Sequence, residues 1–408
     1  MPPTAASSAP TIDIEGLGLD EGALLLVRRA LAELPVGGHL RVRGRAPHWD
    51  LHLATWCRQQ GHGIETRALP QGGVEASVTR SASAEGRWRG ALATGHSQLA
   101  PGELPEPEAD PSWGLAARGA RVEAGSPALA FGHARRDELW AASAGEIYQQ
   151  GAAAQWDPDA VVDWQAAFEL APAVEAAVAQ VMTYLIENEN AALIVPARHL
   201  GQVPPQYREV QQALALQCAD EARHVEVFTR RLGLRGLGPQ LSTAGGQASL
   251  HSLLRAPDFS TATFLLSVLG EGSFVNLLGF LREHAPDPVT RAICRLAARD
   301  EARHVAFGMS HLAHRLRVQP GYLARLQVAV EQRHEELAPT AGLNEEVFDA
   351  LVLLAAGSLA APAIARGHAA VQQLKLEMAA GRRARLLHLG FDGGQAQRLA
   401  DMHTRNFM

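Results

Sequence analysis

One hexapeptide occurs twice in the chain. Asp220-Glu221-Ala222-Arg223-His224-Val225 returns unchanged as Asp300-Glu301-Ala302-Arg303-His304-Val305. Each copy holds Glu-x-x-His, and on a helix positions i and i+3 are neighbours on one face. Glu221 with His224, and Glu301 with His304, therefore each make a carboxylate–imidazole claw. Two claws from two helices, joined by one Glu from each of two further helices, form the ligand set with which a helical bundle holds two iron or manganese ions. Oxygen and imidazole donors without thiolate suit Fe(II) or Mn(II). Four carboxylates would balance two divalent ions.

Four helices must carry those groups, and the apolar periodicity says where they run. Val210, Leu214, Cys218, Glu221, His224 and Phe228 fall at steps of three and four, with Gln217 at the edge of the same face. Upstream, Met182, Leu185, Glu189 and Ala192 make a second stripe with one carboxylate in it. Glu187 lies off that face with Gln180, Thr183 and Tyr184, so Glu189 is preferred to Glu187 as the ligand. Between the claws, Phe264, Val268, Glu271, Val275 and Leu278 make a third stripe, again broken by one carboxylate. The spacings agree: Glu189 to Glu221 is 32 residues and Glu271 to Glu301 is 30. Each half then reads as a helical hairpin with Glu on its first helix and the claw on its second. An isolated Glu-x-x-His is common by chance, but four stripes each holding a carboxylate are not, because an unpaired buried carboxylate is costly.

Leu269-Gly270-Glu271-Gly272 followed by Arg299-Asp300-Glu301-Ala302-Arg303-His304-Val305-Ala306-Phe307-Gly308 resembles the bacterial oxidase and oxygenase branch of the ferritin-like di-iron superfamily. The resemblance spans about 136–408 and implies an all-α four-helix bundle with extra helices. It also implies supporting roles for the residues around the ligands. Asp220 and Asp300 would each hydrogen-bond the imidazole of the opposite claw, and Arg223 and Arg303 would balance those aspartates.

Composition sets the outer bounds. The chain has 408 residues and a formal net charge of −6, which gives no support for a nucleic-acid or anionic-membrane partner. Cys57, Cys218 and Cys294 are too few and scattered for a disulfide framework, which favours a reducing cytoplasm. No signal segment is expected, and no apolar run is read as reaching the length of a membrane span. Cys218 and Cys57 read as core residues. His311, His314, His334, His368 and His388 read as packing or surface groups.

The fold class expected is α+β and multidomain. Residues 1–10 are small and polar and read as a disordered start. Residues 11–81 alternate strand and helix patterns in the order β-α-β-α-β-β. With Arg29-Ala30-Leu31-Ala32-Glu33-Leu34-Pro35 and Trp56-Cys57-Arg58-Gln59-Gln60-Gly61-His62, this unit resembles a TusA-like sulfur-carrier domain. That family carries its thiol in a Cys-Pro-x-Pro step, and here Leu19-Asp20-Glu21-Gly22 stands at those positions, so sulfur relay is not expected. Docking a partner or supporting a dimer is expected instead. Residues 82–135 are rich in Pro and Gly and read as a linker, with one short hairpin at most. The helical domain occupies 136–408, with a break at Trp156-Asp157-Pro158. Pro196 is expected to kink or end the first core helix. Extra helices follow at Gly321–Leu337, Glu345–Ala356 and Ala360–Ala380.

The leading expectation is an oxygen-dependent non-haem di-iron oxidase or monooxygenase that performs amine N-oxygenation or C–H hydroxylation on a small organic substrate. Its cofactors are two Fe, with Mn accepted by the same donors, and dioxygen is the co-substrate. Without a nucleotide fingerprint in the chain, electrons come from an external donor or from the substrate. A monomer or homodimer is expected. A desaturase or radical-generating oxidase is the second reading, for which Tyr184 is the one obvious radical site. A non-enzymatic iron-binding or scaffold protein is the third.

Overall fold

The structure, a computed structural model, describes residues 9–402 except 71, 83–87, 89, 101 and 341–344. Most of the expected disordered start, residues 1–8, lies outside the described residues. The chain divides into two compact units, Met1–Thr94 with Gly119–Ala128 and Gly95–Arg118 with Leu129–Met408.

The first unit is a small mixed sheet with two helices. Strands β1 (Thr11–Asp13), β2 (His39–Gly44), β3 (Gly63–Ala68) and β4 (Val74–Thr79) alternate with helices α1 (Ala23–Ala32) and α2 (Trp49–Gln60) in the expected order. The sheet order is β1-β2-β4-β3, with β1 parallel to β2 and the other pairs antiparallel. Strand β2 alternates exposed and buried residues, as a half-buried strand must. Leu40, Val42, Val27, Leu31, Leu53 and Cys57 meet in one core. Burial pushes the Cys57 thiol up to about 11, so it packs as a small apolar residue. Leu19–Glu21, where the carrier thiol would fall, is a single 3₁₀ turn.

The stretch read as a linker is shared between the units. In the first, β5 (Leu92–Ala93) pairs antiparallel with β6 (Arg121–Val122). In the second, Arg118 is buried and reaches Glu209 at 2.6 Å and the Gln206 carbonyl at 3.1 Å. Proline and glycine stop long elements there but leave short ladders and turns, such as the Asp110-capped turn Pro111–Trp113.

The second unit is helical. Its elements are α3 (Ala144–Ala153), α4 (Pro172–Leu200), α5 (Arg208–Gly233), α6 (Ala244–Leu254), α7 (Phe259–Thr263), a π-helical segment (Phe264–Glu271), α8 (Gly272–His284), α9 (Pro288–Val318), α10 (Tyr322–Leu337), α11 (Glu345–Ala356), α12 (Ala361–His388) and α13 (Gly393–Asp401). Helix α4 packs along α5, and α8 along α9, as the two expected hairpins. Helix α11 covers α4, and α12 lies against α8.

Three expectations need correction. The helix through Glu271 is not a plain α-helix, because the eight residues Phe264–Glu271 are π-helical. Phe264 to Phe274 are buried on every side, so no single face marks its phase. Pro196 does not end the first core helix: it lies inside α4, which continues to Leu200. It is buried and only one turn from the end, where little of the hydrogen-bond ladder remains to be lost. Finally, Phe259–His284 is long and apolar enough to cross a membrane, with mean hydropathy 1.7 over its apolar window, yet 83% of that window is buried inside the protein. A central core helix has the same composition.

Candidate metal centre

Helices α5 and α9 each turn one continuous face inward. On α5 that face includes Val210, Leu214, Gln217, Asp220, Glu221, His224, Phe228 and Arg231. On α9 it includes Ile293, Ala297, Asp300, Glu301, His304, Phe307 and His311. Helix α4 adds Glu189, and Glu271 closes the π-helical segment. The structure brings all six expected ligand residues together, none more than 4% exposed. Glu187 stays outside the cluster, half-buried, with a hydrogen bond to Ser242.

Glu189, Glu221, His224 and Glu301 have donor atoms within 4.8 Å of one another, and so do Glu221, Glu271, Glu301 and His304. Glu221 and Glu301 belong to both groups. Glu221 places Oε2 3.1 Å from His224 Nδ1 and Oε1 3.0 Å from His304 Nδ1. Glu301 places Oε1 3.5 Å from His224 Nδ1 and Oε2 3.4 Å from His304 Nδ1. Each central carboxylate thus spans the two imidazoles, one oxygen to each. Glu189 stands beside His224 at 3.6 Å. Glu271 accepts from Gln217 Nε2 at 2.9 Å.

The other ring nitrogens face outward to the aspartates. His224 Nε2 lies 3.2 Å from Asp300 Oδ2, and His304 Nε2 lies 3.4 Å from Asp220 Oδ2. Each aspartate therefore fixes the ring on the opposite claw and turns its Nδ1 to the centre. Arg223 binds both aspartates, reaching Asp300 at 2.9 Å, and Arg303 does the same, reaching Asp220 at 3.2 Å. Two supports had no spacing signal in the sequence. Trp156 Nε1 donates to Asp300 at 2.7 Å, and Gln155 Nε2 donates to Asp220 at 2.8 Å. Arg223 also stacks over the Trp156 ring at 4.7 Å.

The cluster does not satisfy itself. Glu189 Oε1, Glu221 Oε1, Glu271 Oε2, both Glu301 oxygens and His304 Nδ1 are buried without a hydrogen-bond partner among the described residues. The close pair Glu221 Oε1 and His304 Nδ1 lacks hydrogen-bond alignment, so the two atoms converge without bonding. Buried polar atoms are rarely left this way. Protons take up part of the charge. Burial, then repulsion from Glu221 and Glu301, holds Glu189 well above the usual carboxylate range. Burial, then Glu301, does the same to Glu271. Against burial, His304 and His224 hold Glu221 well below it. Both imidazoles are pushed well up against burial, His224 chiefly by Glu189 and His304 chiefly by Glu221. Divalent cations would replace those protons and cap the orphaned oxygens. The six residues fit two hard or borderline metal ions.

Other candidate residues lie elsewhere. Tyr184 is buried, its hydroxyl pushed up by burial, and the charges acting on it are Arg333 and Glu187 rather than the central carboxylates. Cys218 is half-buried, with Sγ 3.9 Å from the Leu193 carbonyl. His311 is fully buried and held between Ser260 Oγ and the Trp140 carbonyl. His314 lies beside Asp137 at 3.4 Å.

No family model and no curated protein matches the chain. Solved structures do. "Protein 19 with aldehyde deformylating oxidase activity from Synechococcus" matches at 18% identity and a TM-score of 0.42, over 56% of this chain and 96% of that one. An R2-like ligand-binding oxidase variant with an aerobically reconstituted Fe/Fe cofactor matches at 16% identity and a TM-score of 0.49, over 60% and 92%. Another variant, with an anaerobically reconstituted Mn/Fe cofactor, matches at 17% identity and a TM-score of 0.47, over 58% and 92%.

Proposed function

We propose that this chain is an oxygen-dependent non-haem di-iron oxidase or monooxygenase acting on a small organic molecule, by amine N-oxygenation or C–H hydroxylation. One observation carries the reading: Glu221 and Glu301 each present one oxygen to each imidazole, while further oxygens of the buried cluster have no partner. A cluster built only to hold the helices together would pair its charges internally. Glu189, Glu221, His224 and Glu301 would hold one metal, and Glu221, Glu271, Glu301 and His304 the other. When bound, two ferrous ions supply two electrons to dioxygen. Manganese is compatible with the same donors.

The chain's own residues prepare the site. Asp220 and Asp300 stand ready to accept from each Nε2, so that Nδ1 would offer its lone pair inward once a metal displaces its proton. Arg223 and Arg303 offset the aspartate charge. A small pocket of about 10 Å³ abuts Glu189, Glu271 and Glu301, and Ala192, Leu250, Leu253, Leu266 and Phe274 give it an apolar wall. That wall excludes water and favours an apolar substrate body.

The strand and helix order of 11–81 supports the TusA-like reading, and without the carrier thiol this unit serves docking or dimer formation rather than sulfur transfer. The electron donor is external, or the substrate itself. The decisive test mixes the anaerobic, Fe(II)-loaded full chain with oxygenated buffer and follows oxygen consumption beside iron content. Two irons per chain and rapid oxygen uptake are expected. Two bound irons with no oxygen uptake would leave an iron-binding scaffold as the better account.

A further inference from the structure

Helices α8 and α12 meet across two short sets of residues with matching spacing. On α8 these are Gly272, Ser273 and Asn276; on α12 they are Gly381, Arg382 and Arg385. Arg382 is 4% exposed and makes one weak hydrogen bond, from Nη1 to Ser273 Oγ at 3.4 Å. Its Nε, and Nε and Nη2 of Arg385, are buried with no partner among the described residues. Among the described residues neither arginine has an ion pair, and Asp401 acts on Arg382 only through space. The Ser273 hydroxyl already donates to the Leu269 carbonyl at 2.8 Å, so its oxygen faces the guanidinium as an acceptor.

Guanidinium nitrogens buried without a carboxylate are costly, and burial pulls Arg382 and Arg385 both down to about 10. They remain cations at neutral pH. The surroundings keep space for them on both sides. A Cβ at Gly272 would lie 2.5 Å from Arg385 Cζ, and one at Gly381 would lie 3.2 Å from Arg385 Nη1 and 3.6 Å from Asn276 Oδ1. Arg385, Gly381 and Asn276 are partly exposed, whereas Arg382, Ser273 and Gly272 are buried behind them. The outer arginine is therefore the one that a charged group arriving from the surface meets first.

We propose that Arg382 and Arg385, with Ser273 and Asn276 beside them, form an oxyanion-binding site between α8 and α12 that takes a carboxylate or a phosphate group. The guanidinium fork suits the paired oxygens of either. None of these side chains belongs to the Glu–His cluster, so the site stands whether or not that cluster activates oxygen.

The test is thermal unfolding of the full chain with added sodium phosphate or sodium acetate, against sodium chloride at equal ionic strength. The wild-type midpoint is expected to rise with the logarithm of the oxyanion concentration. A response to phosphate alone identifies a phosphate site, and a response to acetate identifies a carboxylate site. Arg382→Met is expected to be at least as stable as wild type in chloride, since it removes an unpaired buried cation, and to lose the oxyanion response. Arg383→Met, at an exposed neighbouring position, is expected to respond like wild type. Arg385→Lys keeps the charge without the fork and should bind at least about tenfold more weakly by isothermal titration with the same anion; it serves as the reading if Arg382→Met does not fold. Absence of any wild-type response to either anion, or an equal response in Arg382→Met, or unchanged binding in Arg385→Lys, overturns the proposal.

Discussion

Two buried charge networks lie in the same helical unit and behave oppositely. Arg231 on α5 is fully buried and bonds Glu175 at 2.7 Å, Asp287 at 2.9 Å and Thr290 at 2.9 Å. Thr290 and Asp287 also bond each other at 2.7 Å. Every partner is present, and the network ties the starts of α4 and α9 to the end of α5. The Glu–His cluster, farther along α4, α5 and α9, has the same depth but leaves carboxylate oxygens without partners. Burial alone therefore does not mark a site in this fold. Several uncompensated carboxylate oxygens converging on one point do, since each unsatisfied group costs its full desolvation penalty unless something outside the chain completes it.

Substitutions can break that contrast. The largest effect is expected at the central carboxylates. Glu221→Ala or Glu301→Ala should lose both metals, because each belongs to both ligand groups, while the helical circular dichroism stays near wild type. Retention of two irons by either variant would show that the shared carboxylates do not bridge. Arg231→Met should do the reverse, costing about 3–5 kcal/mol of folding stability by stranding two buried carboxylates. Its folded fraction should keep two irons, as read by denaturant titration beside metal analysis. Glu189→Ala should drop to one iron per chain, and Glu187→Ala should keep two. Asp300→Ala should weaken metal affinity by about 10- to 100-fold, measured by competition with a chelator. The smallest effect sharpens the comparison within the site. Trp156→Phe removes one hydrogen bond to Asp300 while Arg223 remains, so its loss of affinity should fall below that of Asp300→Ala; an equal loss would make the indole the principal support.

The sequence carried the claws well because Glu-x-x-His is a local signal, set by one turn of helix and repeated. It carried Glu189 by helical phase, since the neighbouring Glu187 falls on a different face. It carried Glu271 as the one carboxylate in an apolar run, but not the π-helical geometry before it, because Phe264 to Gly270 offer no polar side to reveal a phase. Gln155 and Trp156 sit 65 and 144 residues from the aspartates they support, and no periodicity links such distant partners. Arg231 escaped for the same reason: Glu175 and Asp287 are ordinary acidic residues until the fold gathers them. The strand and helix order of 11–81 was legible from alternation and glycine stops, whereas the sharing of 82–135 between two units depends on single long-range bonds such as Arg118 to Glu209.

The crossed pairing of aspartates and histidines also acts as a mechanical register. Helix α5 supplies the anchor for the imidazole of α9, and α9 supplies the anchor for that of α5. Sliding one helix past the other by a single residue moves it about 1.5 Å along its axis. Contacts of 3.2 and 3.4 Å already lie near the long end of hydrogen-bond range and leave little room for such a shift. The pair therefore works like two pins through adjacent rods. It holds the spacing of the Glu–His cluster, so a metal ion taken up there would meet its ligands already set.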